Sequence, residues 1–341
     1  MPVYLRTITT RASANHSVTD QVTVWTTVHN ALIALGLTQT EDTGQYASFV
    51  GSVVNTAPIE RGYRVYKMTD SLGDLYIRVG FWSGFNCMAA ISMDIGYATD
   101  GAGVIVDGVG ASAGNTTYGF TYASSSSYFY PTGTFCAVRG DGFLFVSLAD
   151  GGMNCYPGGD ASSRFSHAGL GTRGSFGWAA VGRQTDEAGA LLSDKLVAVG
   201  GGVPVGISTT TSNLGMQYTS TPPQSYLTAK QAGQGVRQTI TPAALVCMET
   251  ARTRSGNPAV GRVYADYPDT GPLPIRWLGA MPTENATPQD TVELALVGAT
   301  AKKYRHACAS GYPAFAQFSN TSGLGTGRYL APMVEDDGVM V

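Results

Sequence analysis

Residues 63–82, YRVYKMTDSLGDLYIRVGFW, set two runs of alternating apolar and polar residues on either side of Asp70-Ser71-Leu72-Gly73-Asp74. Alternation with period two marks a strand with one buried face, and Gly and Asp between two such runs supply the positive φ and the side-chain turn of a hairpin. An antiparallel hairpin from Tyr63 to Trp82 is therefore expected. In its second strand Leu75, Ile77, Val79 and Phe81 share the core face, and Tyr76, Arg78, Gly80 and Trp82 share the other. That second face is amphipathic, which makes Tyr76, Arg78 and Trp82 candidate interface residues.

The same grammar recurs along the chain. Strands are expected at 46–54, 88–96, 143–148, 175–181, 195–199, 244–249, 260–266, 275–280 and 292–297, separated by turns drawn from 44 Gly and 16 Pro. One segment departs from it: Val22, Trp25, Val28 or His29, Leu32 and Leu35 recur at helical spacing, Thr19 or Asp20 stands as cap, and Gly36 follows as the left-handed stop. The fold class expected is mainly β, an antiparallel β-sandwich or jelly-roll-like architecture with one N-terminal α-helix over about residues 20–35. Residues 1–205 read as a helix plus β-rich assembly domain. Residues 206–235, polar and carrying Pro222-Pro223, read as a linker or long excursion, and 236–341 as a C-terminal β-rich region, separate or part of the first domain.

Charge restricts the partners. Only 13% of residues are charged, the net charge is −3, and no basic run exceeds Lys302-Lys303, so the footprint of a nucleic-acid surface is missing. A surface covered by Ser, Thr, Asn, Gln, Tyr and Gly favours permanent assembly or a neutral partner. The start of the sequence has no apolar signal core, and no apolar run reaches the length of about 18 residues that a membrane helix needs, so a protein made in a cytosol without membrane insertion is expected. The five cysteines are widely spaced with no C-x-x-C, which reads as buried reduced thiols.

Catalytic patterns fail on context. Gly110-Ala111-Ser112-Ala113-Gly114 matches a nucleophile elbow, with His167 and His306 downstream, yet the residues after it read as strand and turn where an elbow needs a helix. Gly169 to Gly174 satisfies G-x-G-x-x-G without the flanking strand and helix of a dinucleotide site. Asp100-Gly101, Asp107-Gly108, Asp141-Gly142 and Asp150-Gly151 are turn chemistry before they are a glycosidase pair or a calcium loop. No histidine lies at metal-ligand spacing from another, so no cofactor or metal is expected. Residues 118–131, YGFTYASSSSYFYP, gather Tyr118, Tyr128, Phe129 and Tyr130 around a serine run, the Tyr/Ser enrichment of contact surfaces, and these join the candidate interface.

The order of pieces, a capped helix, then GYRVYKMTD, LYIRVGFWSG, ISMDIGYATDGAG and a late GRYLAPM, resembles virion structural or tail-associated proteins of tailed bacteriophages. The resemblance spans about residues 20–103, with a fainter likeness near the C-terminal end. It implies a virion component in the tail or head-to-tail region, with other virion tail proteins as partners, no cofactor and no catalytic residue. A homo-oligomer with contacts in the Tyr118 to Tyr130 segment is expected from closed symmetry and low charge. The alternatives are a module recognising host-surface glycan through aromatics such as Trp82, Tyr128 and Tyr130, and a polysaccharide esterase or depolymerase.

Overall fold

The computed structural model describes residues 2–9, 18–51, 59–84, 88–110, 118–121, 132–150, 176–202, 224–233, 237–239, 246–247, 261–282, 291–294, 302–306, 330–335 and 339–340. In chain order the elements are β1 (Pro2–Thr9), α1 (Val18–Ala34), β2 (Thr38–Gln39), β3 (Ile59–Asp70), β4 (Gly73–Gly84), β5 (Met88–Gly96), β6 (Ala98–Thr99), β7 (Ile105–Val106) and β8 (Val109–Gly110). There follow β9 (Tyr118–Thr121), β10 (Thr132–Gly140), β11 (Phe143–Asp150), β12 (Phe176–Thr185), β13 (Leu191–Gly202), β14 (Gln224–Gln231), β15 (Arg237–Thr239) and β16 (Val246–Cys247). The last are β17 (Gly261–Tyr267), β18 (Gly271–Pro282), β19 (Thr291–Leu294), β20 (Lys302–His306), β21 (Leu330–Glu335) and β22 (Val339–Met340).

These strands form a front sheet in the order β2-β3-β4-β5-β8, a central sheet β15-β14-β13-β12-β11-β10-β1-β22 and a back sheet β16-β17-β18-β21-β20-β19. β9 also pairs with β5, and β6 with β7 makes a small hairpin of its own. Every pairing among the described residues is antiparallel except β1 with β22. The expected class holds: the chain is mainly β, with antiparallel sheets and one N-terminal helix.

Two cores lie on opposite faces of the central sheet. Phe135, Ala137, Leu144, Val146, Ala179, Val181, Leu196 and Ala198 pack toward α1 and the front sheet. Their strand neighbours Cys136, Val138, Phe143, Phe145, Ala180, Val197 and Val199 pack toward Val263, Tyr267, Ile275 and Trp277 of the back sheet. Burial on both faces is why β11, β12 and β13 read FLFV, AAV and LVAV, as continuous apolar runs. Each large side chain buried in these cores contributes about 1.5–3 kcal/mol. Cys136 is buried, as expected; the side chains of the other four cysteines lie outside the described residues.

The helix begins at Val18 and ends in a Schellman turn. Gly36 takes φ 80°, its N–H donates to the Ile33 carbonyl, and the Leu37 N–H donates to Leu32 at 3.0 Å. Arg139 of β10 donates to the last free carbonyl, Leu35, at 2.9 Å and so fastens the helix end to the central sheet.

Polar clamps join the layers. Between front and central sheets, Arg183 of β12 pairs with Asp70 at 2.6 Å, both nearly fully buried, while Asp141 accepts from the Ser71 N–H at 2.9 Å and hydroxyl at 2.6 Å. Between central and back sheets, Lys195 bridges Asp194 and Asp269, the Gln184 amide and Thr185 hydroxyl both donate to the Pro274 carbonyl, and the Trp277 indole N–H donates to the Arg183 carbonyl. Trp277 also stacks on Phe143, centroids 4.8 Å apart and planes 7° from parallel. Buried polar groups are tolerated here because they are hydrogen-bonded.

One expectation needs correction. The stretch 46–51 is not a strand but a strap over the helix–sheet seam, in which Tyr46 and Phe49 face Trp25 while Arg64 of β3 holds the carbonyls of Tyr46 (2.9 Å) and Ala47 (3.2 Å). Within the polar stretch 206–235, residues 224–231 form β14, paired with β13 over eight positions, with Lys230 and Gln231 held by Asp107, Asp194 and Asp269. Residues 203–223 lie outside the described residues.

Candidate functional site: the outer face of the front sheet

The face of β4 turned away from the core carries Tyr76, Arg78, Gly80 and Trp82, and strand register decides what surrounds them. Arg78 stands between Val65 and Asp94, Gly80 between Tyr63 and Ser92, and Trp82 between Glu60 and Ala90. A bulge in β3 between Glu60 and Gly62 restores the register so that Glu60 reaches the same face. The space above Gly80 is where these side chains converge. A Cβ there would lie 2.5 Å from the Ser92 hydroxyl, 2.8 Å from a Glu60 carboxylate oxygen and 2.9 Å from the Trp82 indole nitrogen.

The result is a closed polar network. Arg78 donates to both carboxylate oxygens of Glu60, at 3.2 Å from Nη1 and through a shorter contact from Nη2, and its Nη1 lies 3.9 Å from Asp94 Oδ2. The guanidinium sits 4.6 Å over the Tyr63 ring, and the Trp82 indole N–H donates to Ser92 Oγ at 2.9 Å. Arg78 neutralises Glu60 at close range while Asp94 lies farther off, and Tyr76 and Trp82 remain half-buried.

Behind Tyr63 the face is locked to a loop. The Tyr63 hydroxyl lies 2.6 Å from the Thr43 carbonyl and 2.8 Å from that of Ala102, and its ring covers Gly103, which takes φ 86° and has no room for a Cβ. Asp42 gathers the same loop: it accepts from Thr40 Oγ1 at 2.6 Å, the Gly103 N–H at 3.0 Å and, through a shorter contact, Thr99 Oγ1. Burial opposes its ionisation, but these hydrogen bonds outweigh burial and hold its carboxyl below the usual carboxylate range. Asp100 makes the turn expected of Asp-Gly, accepting the N–H groups of Ala102 and Val104.

Tyr76, Arg78 and Trp82 thus share one face, joined by Glu60, Tyr63, Ser92 and Asp94, which the sequence pattern does not single out. The signal that could have found them is the glycine at position 80, an interruption in an otherwise filled strand face. Tyr118 lies on β9, opposite Ile91, with its side chain outside the described residues; Tyr128, Phe129 and Tyr130 lie wholly outside them, as do Ser112, His167 and the Gly169–Gly174 loop. Among the described residues no cluster of His, Cys, Asp or Glu could hold a metal, and no helix is long and apolar enough to cross a membrane.

No family model, no curated protein and no solved structure matches the chain. Tyr63 of β3 meets Arg78 of β4 and Gly103 of the loop after β6.

Proposed function

We propose that the chain is a structural component of a tailed-bacteriophage virion, placed in the tail or head-to-tail region, where it holds or adapts neighbouring tail parts as a non-catalytic homo-oligomer. The observation that supports this most is the outer face of the front sheet: Arg78 and Glu60 neutralise each other on it, and its two partly open rings, Tyr76 and Trp82, gain from permanent burial. The low charge of the whole chain, 13% of residues, acts in the same direction. Mass spectrometry and cryo-electron microscopy of purified particles test the reading. A fixed copy number in a symmetric ring or appendage is expected; absence from intact particles refutes it. The second reading is recognition of a host-surface glycan. It is favoured by Trp82, whose indole N–H is fixed by Ser92 while its ring stays partly open beside Glu60 and Arg78, the pairing of aromatic plane and polar groups that sugars use. Glycan-array binding abolished by Trp82→Ala supports it, and an array without signal removes it.

A further inference from the structure

His29 of α1 faces Tyr66 of β3 across the seam that the strap covers. Its Nδ1 lies 2.9 Å from the Tyr66 hydroxyl, an oxygen at the end of a completely buried side chain. The positive charge of Arg64 acts on the same phenol. A buried phenol needs an acceptor for its proton, and Nδ1 is the described one, so the Tyr66 O–H donates to His29. That direction requires a neutral imidazole with its proton on Nε2.

Arg64 is itself a buried cation whose described partners are neutral: the carbonyls of Tyr46 and Ala47, and the Phe49 ring 4.3 Å from its Cζ. These three residues belong to the strap. Phe49 in turn makes edge contacts with His29 at 6.3 Å, Trp25 at 6.4 Å and Phe81 at 4.8 Å between ring centres. Of the groups facing His29, Tyr66 and Arg64 come from β3 and uncharged Phe49 from the strap. Between Gln21 and Ala34 the helix offers no other ionisable side chain, and Arg64 is the charge acting on the ring.

We infer that His29 is an acid-sensitive latch: its protonation releases the strap, residues 46–51, from the seam between α1 and the front sheet. A proton on Nδ1 would leave the buried Tyr66 O–H without its described acceptor and would set a second positive charge beside Arg64, whose described partners carry no charge. Arg64 is the group that ties down the strap carbonyls, so repulsion acts directly on the strap's anchor. Burial, and then the Arg64 charge, hold the His29 imidazolium below its ordinary value of 6.5. For a base with a lowered value the unfolded or opened form binds more protons, so the closed form is fully stable above 6.5 and loses stability as pH falls through that value toward the folded one. The inference is independent of whether the chain sits in a virion.

Hydrogen exchange of the full chain, read by mass spectrometry at about pH 7.5 and about pH 5, the range in which histidine changes charge, tests the latch after correction for intrinsic rates. Peptides that cover the strap are expected to exchange several-fold faster at the lower pH in the wild type. In His29→Gln, whose side-chain carbonyl still accepts from Tyr66 but cannot ionise, the acceleration should vanish. Equal acceleration in both proteins, or none in the wild type, overturns the inference. The His29 ring titration by NMR on the wild type decides independently of whether the variant folds: a midpoint below 6.5 is required, and one at or above it refutes the latch.

Discussion

Replacing Arg183 by Met would remove one half of the ion pair that joins the front hairpin to the central sheet. Arg183 Nε and Asp70 Oδ2 lie 2.6 Å apart, with the two side chains 3% and 1% exposed. At that burial each ion has lost nearly all its hydration, and the pair is tolerable only because each neutralises the other. In Arg183→Met the Asp70 carboxylate keeps the Leu72 N–H at 2.8 Å as its described donor. The expected cost is about 3–5 kcal/mol, which at about 1.4 kcal/mol per decade lowers the folded-to-unfolded ratio by two to three and a half orders of magnitude. The double variant Asp70→Ala with Arg183→Met strands no charge and should recover most of that loss, giving a coupling of at least about 2 kcal/mol. Urea unfolding curves of wild type, both single variants and the double measure the cycle, provided the slopes agree. A single Arg183→Met variant within about 1 kcal/mol of the wild type, or a double variant equal to the sum of the singles, would refute the view that this pair is a mutually dependent clamp.

The glycines of the loop at 101–103 should differ: Gly101→Ala meets open space and costs only the backbone strain of φ 79°, about 1–2 kcal/mol, whereas Gly103→Ala adds a clash 2.1 Å from the Tyr63 ring and should lower the melting temperature further. Equal melting shifts would contradict the packing of Tyr63. Asp42→Asn should destabilise by about 1–3 kcal/mol at neutral pH by disturbing the Thr40, Thr99 and Gly103 bonds. Because its carboxyl is held below the free value of 3.8, the Asp42 contribution is present above 3.8 and lost as pH falls through the lowered value, so the gap between wild type and variant in urea midpoints should shrink there. Trp277→Ala should cost about 3–5 kcal/mol, and Trp277→Phe less, since Phe retains a ring against Phe143 but loses the indole donor to the Arg183 carbonyl; chemical denaturation that ranks the two alike would contradict the stacking geometry.

The hairpin of Tyr63 to Trp82 is legible because one of its faces is buried and the other open, which prints a period of two on the sequence. The central strands are harder. The run FLFVSL at residues 143–148 marks a strand, but with both faces covered it carries no alternation to tell which core each residue serves. β10, TGTFCAVRG, escapes a reading by composition because small residues at Gly133, Cys136 and Ala137 mute the β-branched signal. Tyr46 to Val54 reads as strand from its apolar content, while the carbonyls of Tyr46 and Ala47 are held by Arg64, a residue 18 and 17 positions away. The candidate face shows the same limit: Tyr76, Arg78 and Trp82 follow from one strand, but Glu60, Ser92 and Asp94 join them through register between strands, which no single strand displays.

The doubly covered central sheet gives adjacent residues different evolutionary partners. Along β12, Ala179 and Val181 must fit α1 and the front sheet, whereas Ala180 between them must fit the back sheet. In an alignment of relatives, substitutions at odd positions of β12 should co-vary with Leu32, Ile77 or Met93, and those at 180 with Ile275 or Trp277, with little correlation between neighbours in the chain. Two lineages of compensating change would then run through one strand, interleaved residue by residue, and the front and back halves of the protein could diversify separately while sharing a single wall.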